Sequence, residues 1–168
     1  MNLSKYPSPI GDILLVTEDD KLLALDFADY EARMRRLVQL RHGPVTLTES
    51  PAPVSVVESL DRYFAGDLTA LDTLALDTGG TAFQQRVWSA LRQTKPGETT
   101  TYGEIGRRIG HASASRAVGA ANGANAIAIV IPCHRIVAST GALTGYAGGL
   151  DRKRWLLDHE LQYSAAVR

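Results

Sequence analysis

The charge of this chain changes sign at Thr78-Gly79-Gly80, and that break constrains the fold more than any other feature. Residues 1–80 carry 7 Lys/Arg against 13 Asp/Glu and residues 81–168 carry 11 against 5, so zero net charge is built from an acidic half at −6 and a basic half at +6. A Thr-Gly-Gly step where composition shifts marks a domain boundary. We expect an N-terminal unit over 1–80, a C-terminal unit over 81–160 and a tail, 161–168, frayed beyond Glu160. With 45% hydrophobic residues both units can fill a core, which excludes disorder. The single cysteine, Cys133, excludes a disulfide scaffold and a zinc site built on several thiolates. No apolar leader follows Met1, and the longest uncharged stretch, Ala117 to Cys133, is broken by Gly119, Asn122, Gly123 and Asn125. Neither a secretory signal nor a membrane span is expected, and the chain reads as cytoplasmic with a reduced thiol.

In the acidic half, Ile10 to Thr17 and Lys21 to Phe27 are aliphatic runs separated by Glu18, Asp19 and Asp20, the pattern of a hairpin with an acidic turn. Asp29 to Arg41 places Tyr30, Met34, Leu37 and Val38 at helical spacing, and Gly43-Pro44 stops it. Pro53 opens a second helix on which Val54, Val57, Leu60 and Phe64 would share a face, ending at Gly66. Leu71 to Asp77 reads as a further strand. Nothing in this half suggests chemistry.

The basic half opens with Thr81-Ala82-Phe83-Gln84, a capping box, and a helix with an apolar stripe of Phe83, Val87, Trp88 and Leu91. Thr101-Tyr102-Gly103-Glu104 is a second capping box leading through Ile105 and Ile109. Gly110-His111-Ala112 breaks that helix, and Ser113 would cap a third, Ala114 to Ala121, made of small residues around Arg116. Two short helices joined by a glycine turn fit a helix-turn-helix, and they fit any compact helical hairpin equally. Ala114, Ala117, Ala120 and Ala121 let the last helix lie close to a partner backbone, inside the protein or outside it. The expected class is α+β: a small N-terminal sheet-and-helix domain, then a mostly helical domain with a helix-turn-helix.

Ile127 to Ile131 is a continuous apolar run that reads as a buried strand or extended segment delivering Pro132-Cys133-His134-Arg135. Proline fixes its own φ and restricts its predecessor, so the thiol sits on stiff backbone. Adjacent His134 and Arg135 would favour thiolate, the nucleophilic form. A lone buried cysteine is also ordinary packing.

Taken together, the motifs go further. Pro132-Cys133-His134-Arg135 resembles the active-site signature of the O6-alkylguanine-DNA alkyltransferases, repair proteins that take alkyl groups off guanine. The likeness extends to Thr101-Tyr102-Gly103-Glu104, Arg116-Ala117-Val118-Gly119, Asn125, Gly145-Tyr146-Ala147-Gly148-Gly149 and Leu156-Leu157-Asp158-His159-Glu160, in order over residues 81 to about 160. It implies irreversible transfer, without cofactor or metal, of an alkyl group from O6 of guanine, and O4 of thymine, to Cys133. By the same resemblance His134 acts through a water as base, Glu160 orients it, Asn125 positions the active turn and Tyr102 donates a proton to the purine. Val130, Tyr146, Ala147 and Gly148, with Tyr102, would contact the guanine.

The target atom lies inside stacked duplex DNA, so the nucleotide must be flipped out. The resemblance makes Arg116 the group that fills the gap and places Ala114, Ala117, Ala120 and Ala121 in the minor groove. Without it Arg116 is a phosphate contact or a surface charge, Glu160 a solvated charge and Asn125 a turn residue. Arg86, Arg92, Arg107, Arg108 and Arg135 read as phosphate neighbours or solvent-facing charges. Double-stranded DNA containing O6-alkylguanine is the implied partner of a monomer, with assembly along DNA allowed. Ala147 departs from a pattern that often has serine there, so no side-chain hydroxyl serves the leaving oxygen. Two other classes stand beside this one: a non-catalytic protein that recognises alkylated bases, against which Cys133 counts, and a redox-sensing regulator switched at Cys133, which leaves Asn125, Tyr102 and Glu160 unexplained.

Overall fold

The computed structural model describes residues 1–166. Strands β1 (Asn2–Ser8), β2 (Gly11–Glu18) and β3 (Lys21–Phe27) form an antiparallel meander, and β4 (Thr48–Glu49) joins β1 in parallel, giving the order β3-β2-β1-β4. The acidic turn between β2 and β3 places Asp19 and Asp20 at φ 50° and 62°, the double left-handed geometry that matches strand twist in a two-residue hairpin. Ile13 through Thr17 are buried without alternation, so both faces of β2 are covered. Helix α1 (Glu31–His42) contributes Met34, Leu37 and Val38 to that cover, and Gly43 at φ 78° closes it.

Helix α2 (Val54–Phe64) starts after Pro53 as expected, but its buried residues are Val56, Ser59, Leu60 and Tyr63, while Val54 is 71% exposed. The core face is thus rotated from the expected one, because the tyrosine and not the first valine is drawn inward. Leu71 to Asp77 is not a strand. Ala70–Thr73 form a single 3₁₀ turn, and only Leu76 bridges the edge of β3 at Leu22. Strand β1 and the short β4 had no expectation attached to them.

In the second half, α3 (Ala82–Arg92) carries a complete capping box: Gln84 N–H donates to Thr81 Oγ1 at 3.1 Å and Thr81 N–H to Gln84 Oε1 at 3.0 Å. The box at α4 (Tyr102–Arg108) is half formed, since Thr101 accepts from Glu104 N–H while the Glu104 carboxylate turns to Arg107 and Arg108. Charge attraction along the exposed helix outcompetes the return to the cap. Helix α5 runs Ser115–Gly123 with Ala114 as its N-cap, so Ser113 is not the cap. The turn between them is closed by His111 N–H to Gly106 O and Ala114 N–H to His111 O. Helix α3 packs on both, and Trp88 Nε1 donates to Ala121 O at 2.9 Å.

Helix α6 (Leu150–Ala166) runs past Glu160, so frayed backbone does not follow that residue. Tyr163 packs against Gly66, which anchors this last stretch; residues 167 and 168 of the expected tail lie outside the described residues. The two halves share one core cluster. Tyr63 and Phe64 of α2 meet Trp155 and His159 of α6, with Trp155 and His159 rings stacked 4.8 Å apart.

Candidate active site

The segment Ile127–Ile131 is buried but is not a strand. Its single ladder contact is at the edge of β3, where Leu25 N–H donates to Ala126 O and Ala128 N–H to Leu25 O. Beyond that, Asn125 takes over the groups a strand would need: its Oδ1 accepts from Ile127 N–H and its Nδ2 donates to Ile131 O, both at 2.9 Å. Val130 N–H donates to Ala128 O and Cys133 N–H to Ile131 O, each spanning two residues, so γ-turns centre on Ile129 and Pro132. Ile129 has φ 70°, strain of about 1–3 kcal/mol for a β-branched residue, held in place by burial and by the Asn125 clamp. Cys133, His134 and Arg135 then form one 3₁₀ turn.

At this turn Cys133 is 8% exposed. Burial pushes its thiol up; the Asn125 amide, its own backbone N–H and the charge of Lys153 pull back against that. The cation whose charge favours the thiolate is therefore Lys153 and not, as the sequence suggested, Arg135. Arg135 is itself buried, and it is neither a phosphate neighbour nor a solvent-facing charge. Its guanidinium donates to both Glu160 carboxylate oxygens, at 2.8 and 2.9 Å, and to Thr94 O at 2.6 Å.

Glu160 is the hub of this cluster. It is fully buried, receives Arg135, pairs with His134 Nε2 at 2.8 Å and accepts from Tyr63 Oη at 2.7 Å. Burial opposes its ionisation, but His134 and Arg135 outweigh burial and hold the carboxyl well below the usual carboxylate range. Tyr63 is pushed the other way, by burial and by Glu160, so its phenol is a permanent donor. His134 Nε2 faces a carboxylate and therefore carries the proton. Its Nδ1, buried and bonded to no protein group, is left as the acceptor.

Other expected residues fall into place unevenly. Tyr146 is partly buried with its hydroxyl enclosed; burial pushes its phenol well above the ordinary value, and a Cys133 thiolate would add to that. Val130 is buried in the strained turn, Gly148 is buried against Phe27 and Ala147 is exposed beside them. Tyr102, half-buried at the first turn of α4, lies against Gly119 of α5 and forms no hydrogen bond with the Cys133 turn. On α5, Arg116, Ala117 and Ala120 are exposed and Ala114 is half-buried. Ala121 is 2% exposed beneath Trp88, so it belongs to the core and not to a contact face. Among the described residues no cluster of His, Cys, Asp or Glu could hold a metal ion, and no helix is long and apolar enough to cross a membrane.

This geometry has close counterparts. The ribonuclease-like domain of 6-O-methylguanine DNA methyltransferase matches residues 1–78 and the DNA-binding domain of the same proteins matches residues 82–162. The chain belongs to the 6-O-methylguanine DNA methyltransferase family. The methylated-DNA–protein-cysteine methyltransferase of Salmonella typhimurium is 44% identical over 159 residues, 93% of each chain. That of Mycolicibacterium paratuberculosis is 48% identical over 160 residues, 95% of this chain and 92% of its own. Mycobacterium tuberculosis OGT, solved in complex with DNA, superposes with a TM-score of 0.84 at 41% identity, covering 97% of this chain and 94% of that one.

As a 6-O-methylguanine DNA methyltransferase family member, the chain draws its buried cluster from both domains. Sequence reasoning named Cys133, His134, Asn125 and Glu160 but missed Tyr63, Arg135 and Lys153 as parts of it. Tyr63 sits in the half that carries no chemical motif; the one available signal was a tyrosine on the apolar face of α2.

Proposed function

We propose that this protein repairs DNA by direct reversal, transferring the alkyl group from O6 of guanine, and from O4 of thymine, to the sulfur of Cys133 once per molecule. The observation that carries this reading is the Cys133 turn itself: a lone thiol on backbone locked by Asn125, next to a histidine whose Nε2 is committed to a buried carboxylate. In our mechanism Cys133 gives its proton through a water to Nδ1 of His134, and Glu160 stabilises the imidazolium that results. The thiolate attacks the alkyl carbon; the S–C bond forms as the C–O6 bond breaks and the electron pair passes to the purine. Tyr102 protonates the departing base, while Val130, Tyr146, Ala147 and Gly148 contact it. No step hydrolyses the thioether, so the protein is consumed. A cytoplasmic setting suits a thiol that must stay reduced.

Relatives with this fold act on methylated DNA by name, and one is solved in complex with DNA. In the same way we assign the exposed face of α5 to the minor groove, with Arg116 filling the stack behind a flipped nucleotide and Ala114, Ala117 and Ala120 allowing close approach. Intact and peptide mass after incubation with a duplex carrying one O6-methylguanine tests the reaction. A gain of one methylene on Cys133, saturating at one per chain, is expected; lesion-specific binding with no gain would make this a recognition protein instead. Arg116→Ala should slow transfer from duplex by about tenfold or more, because unstacking costs a few kcal/mol, while transfer from a free O6-alkylated guanine base keeps its rate. Equal losses on both substrates would remove Arg116 from base flipping.

A further inference from the structure

The acidic half grips the loop that follows the active turn. Between Thr144 and Gly148 every backbone carbonyl is occupied, although the loop has no regular structure. Lys153 Nζ donates to Thr144 O at 2.7 Å and to Gly145 O at 3.3 Å, and Gly149 N–H donates to Tyr146 O at 2.9 Å. Arg33 Nη1 donates to Ala147 O at 2.6 Å, and Arg152 Nη1 to Gly148 O at 3.2 Å. Of these donors only Arg33 comes from the N-terminal half. It is pre-set there: Nε and Nη2 bond the two oxygens of the buried Asp26 carboxylate at 3.0 and 2.6 Å, and the guanidinium lies 4.4 Å over the Tyr30 ring. A fork held on two sides has one nitrogen left to aim, Nη1, and it aims at the loop.

Phe27, the next residue along β3, completes the grip. Its ring lies where a Cβ on Gly148 would come within 2.6 Å, so the loop backbone rests directly on the strand, and the Arg152 guanidinium lies over the ring, 4.2 Å from its centre. Because a trans peptide is planar, drawing the Ala147 carbonyl toward Arg33 turns the Gly148 N–H away from the N-terminal half.

We propose that Asp26 and Arg33 are positioning residues for the transfer reaction, fixing the loop 144–148 and thereby setting which alkyl groups the site accepts. This rests on the function proposed above. It gives the acidic half a part in the chemistry, and it supplies by backbone placement what Ala147 cannot supply with a hydroxyl.

The test compares wild type, Arg33→Gln, Asp26→Asn and Arg35→Ala in single-turnover transfer, at saturating protein and below each variant's melting temperature. The substrates are duplexes carrying O6-methylguanine or O6-benzylguanine. Arg35 donates to Glu31 on the same helix and, among the described residues, to no loop carbonyl, which makes it the matched control. Arg33→Gln and Asp26→Asn should each lower the rate by about tenfold or more, as misplacement of about 1 Å can cost more than that. Affinity for undamaged duplex should stay within about twofold, and the benzyl-to-methyl rate ratio should shift by about threefold or more, the scale on which a pocket distinguishes substrates by small differences in size. Arg35→Ala should alter neither rate nor ratio. An unchanged ratio in both loop variants, with or without a slower rate, would overturn the proposal by reducing the pair to a structural brace. Wild type that fails to transfer at all would instead overturn the underlying function.

Discussion

Replacing Cys133 by Ser will leave the protein binding damaged duplex as before and unable to take up an alkyl group. Serine preserves the shape and the backbone pattern at this position: the Cys133 N–H bond to Ile131 O and the Asn125 bonds to Ile127 N–H and Ile131 O all run to backbone groups. What disappears is the nucleophile, since a serine hydroxyl must be deprotonated far outside its own range by the same His134 relay that serves a thiol. Mass spectrometry should show no methylene on the variant at any incubation time, with lesion affinity within about twofold of wild type. Stoichiometric transfer to the variant would remove Cys133 as the acceptor.

The same residue has a pH signature. Burial lifts the Cys133 thiol above its ordinary value, so the free protein holds little thiolate at neutral pH and gains it as pH rises. Transfer from a free O6-alkylated guanine base should therefore accelerate from pH 6 upward through the neutral range. The charge of Lys153 opposes burial, and Lys153→Met should slow the reaction at neutral pH and move the rising limb to higher pH.

What the sequence disclosed of this site follows from how local each interaction is. Thr81 with Gln84, the turn at Asp19-Asp20 and the stop at Gly43 depend on neighbours a few residues away, so pattern alone placed them. Asn125 and Cys133 were legible through the family resemblance, which named both; from its own segment Asn125, with partners two and six residues on, reads as a turn residue. Arg135 was misassigned for the opposite reason: an arginine beside a reactive cysteine looks like an electrostatic aid until a carboxylate 25 residues away claims it. Tyr63 reaches Glu160 across 97 residues, and Arg33 reaches Ala147 across 114, so nothing in their own segments announces either contact. Of the two readings of Ile127–Ile131, buried strand or extended segment, the strand does not form, because hydrophobic run length cannot register a side-chain amide that takes over the ladder groups. Ala121 follows Ala117 by one helical turn, yet it lies toward buried Val118 and α3, where Trp88 Nε1 donates to its carbonyl, and spacing alone could not say which edge of the stripe is covered.

Glu160→Ala should be the most destabilising single change in the protein. The carboxylate satisfies three donors at once, Tyr63 Oη, His134 Nε2 and the Arg135 fork, all inaccessible to water. Deleting it strands a buried guanidinium, and breaking a buried pair from one side costs about 3–5 kcal/mol. For a chain of this size that corresponds to a melting point lower by roughly 10 °C, read by calorimetry. The pH dependence follows from the depressed carboxyl. A group held below its unfolded value contributes its stability in full above the ordinary carboxylate range and loses it as pH falls through that range toward the folded value. Wild type should therefore lose melting temperature steeply below about pH 4, the unfolded carboxylate value, while Glu160→Ala, already without the interaction, should show a shallower acid limb. Glu160→Gln separates the charge from the shape: it keeps a side chain in the cavity but leaves Arg135 uncompensated, so it should recover only part of the stability. Full recovery by glutamine would show that packing, and not the ion pair, holds the cluster. In either variant the stability left over decides whether the loss of transfer can be read as chemistry, so rates belong at temperatures well below each melting point. There, Glu160→Gln should still fold around Cys133 yet transfer more slowly, because His134 has lost the charge that stabilises its imidazolium.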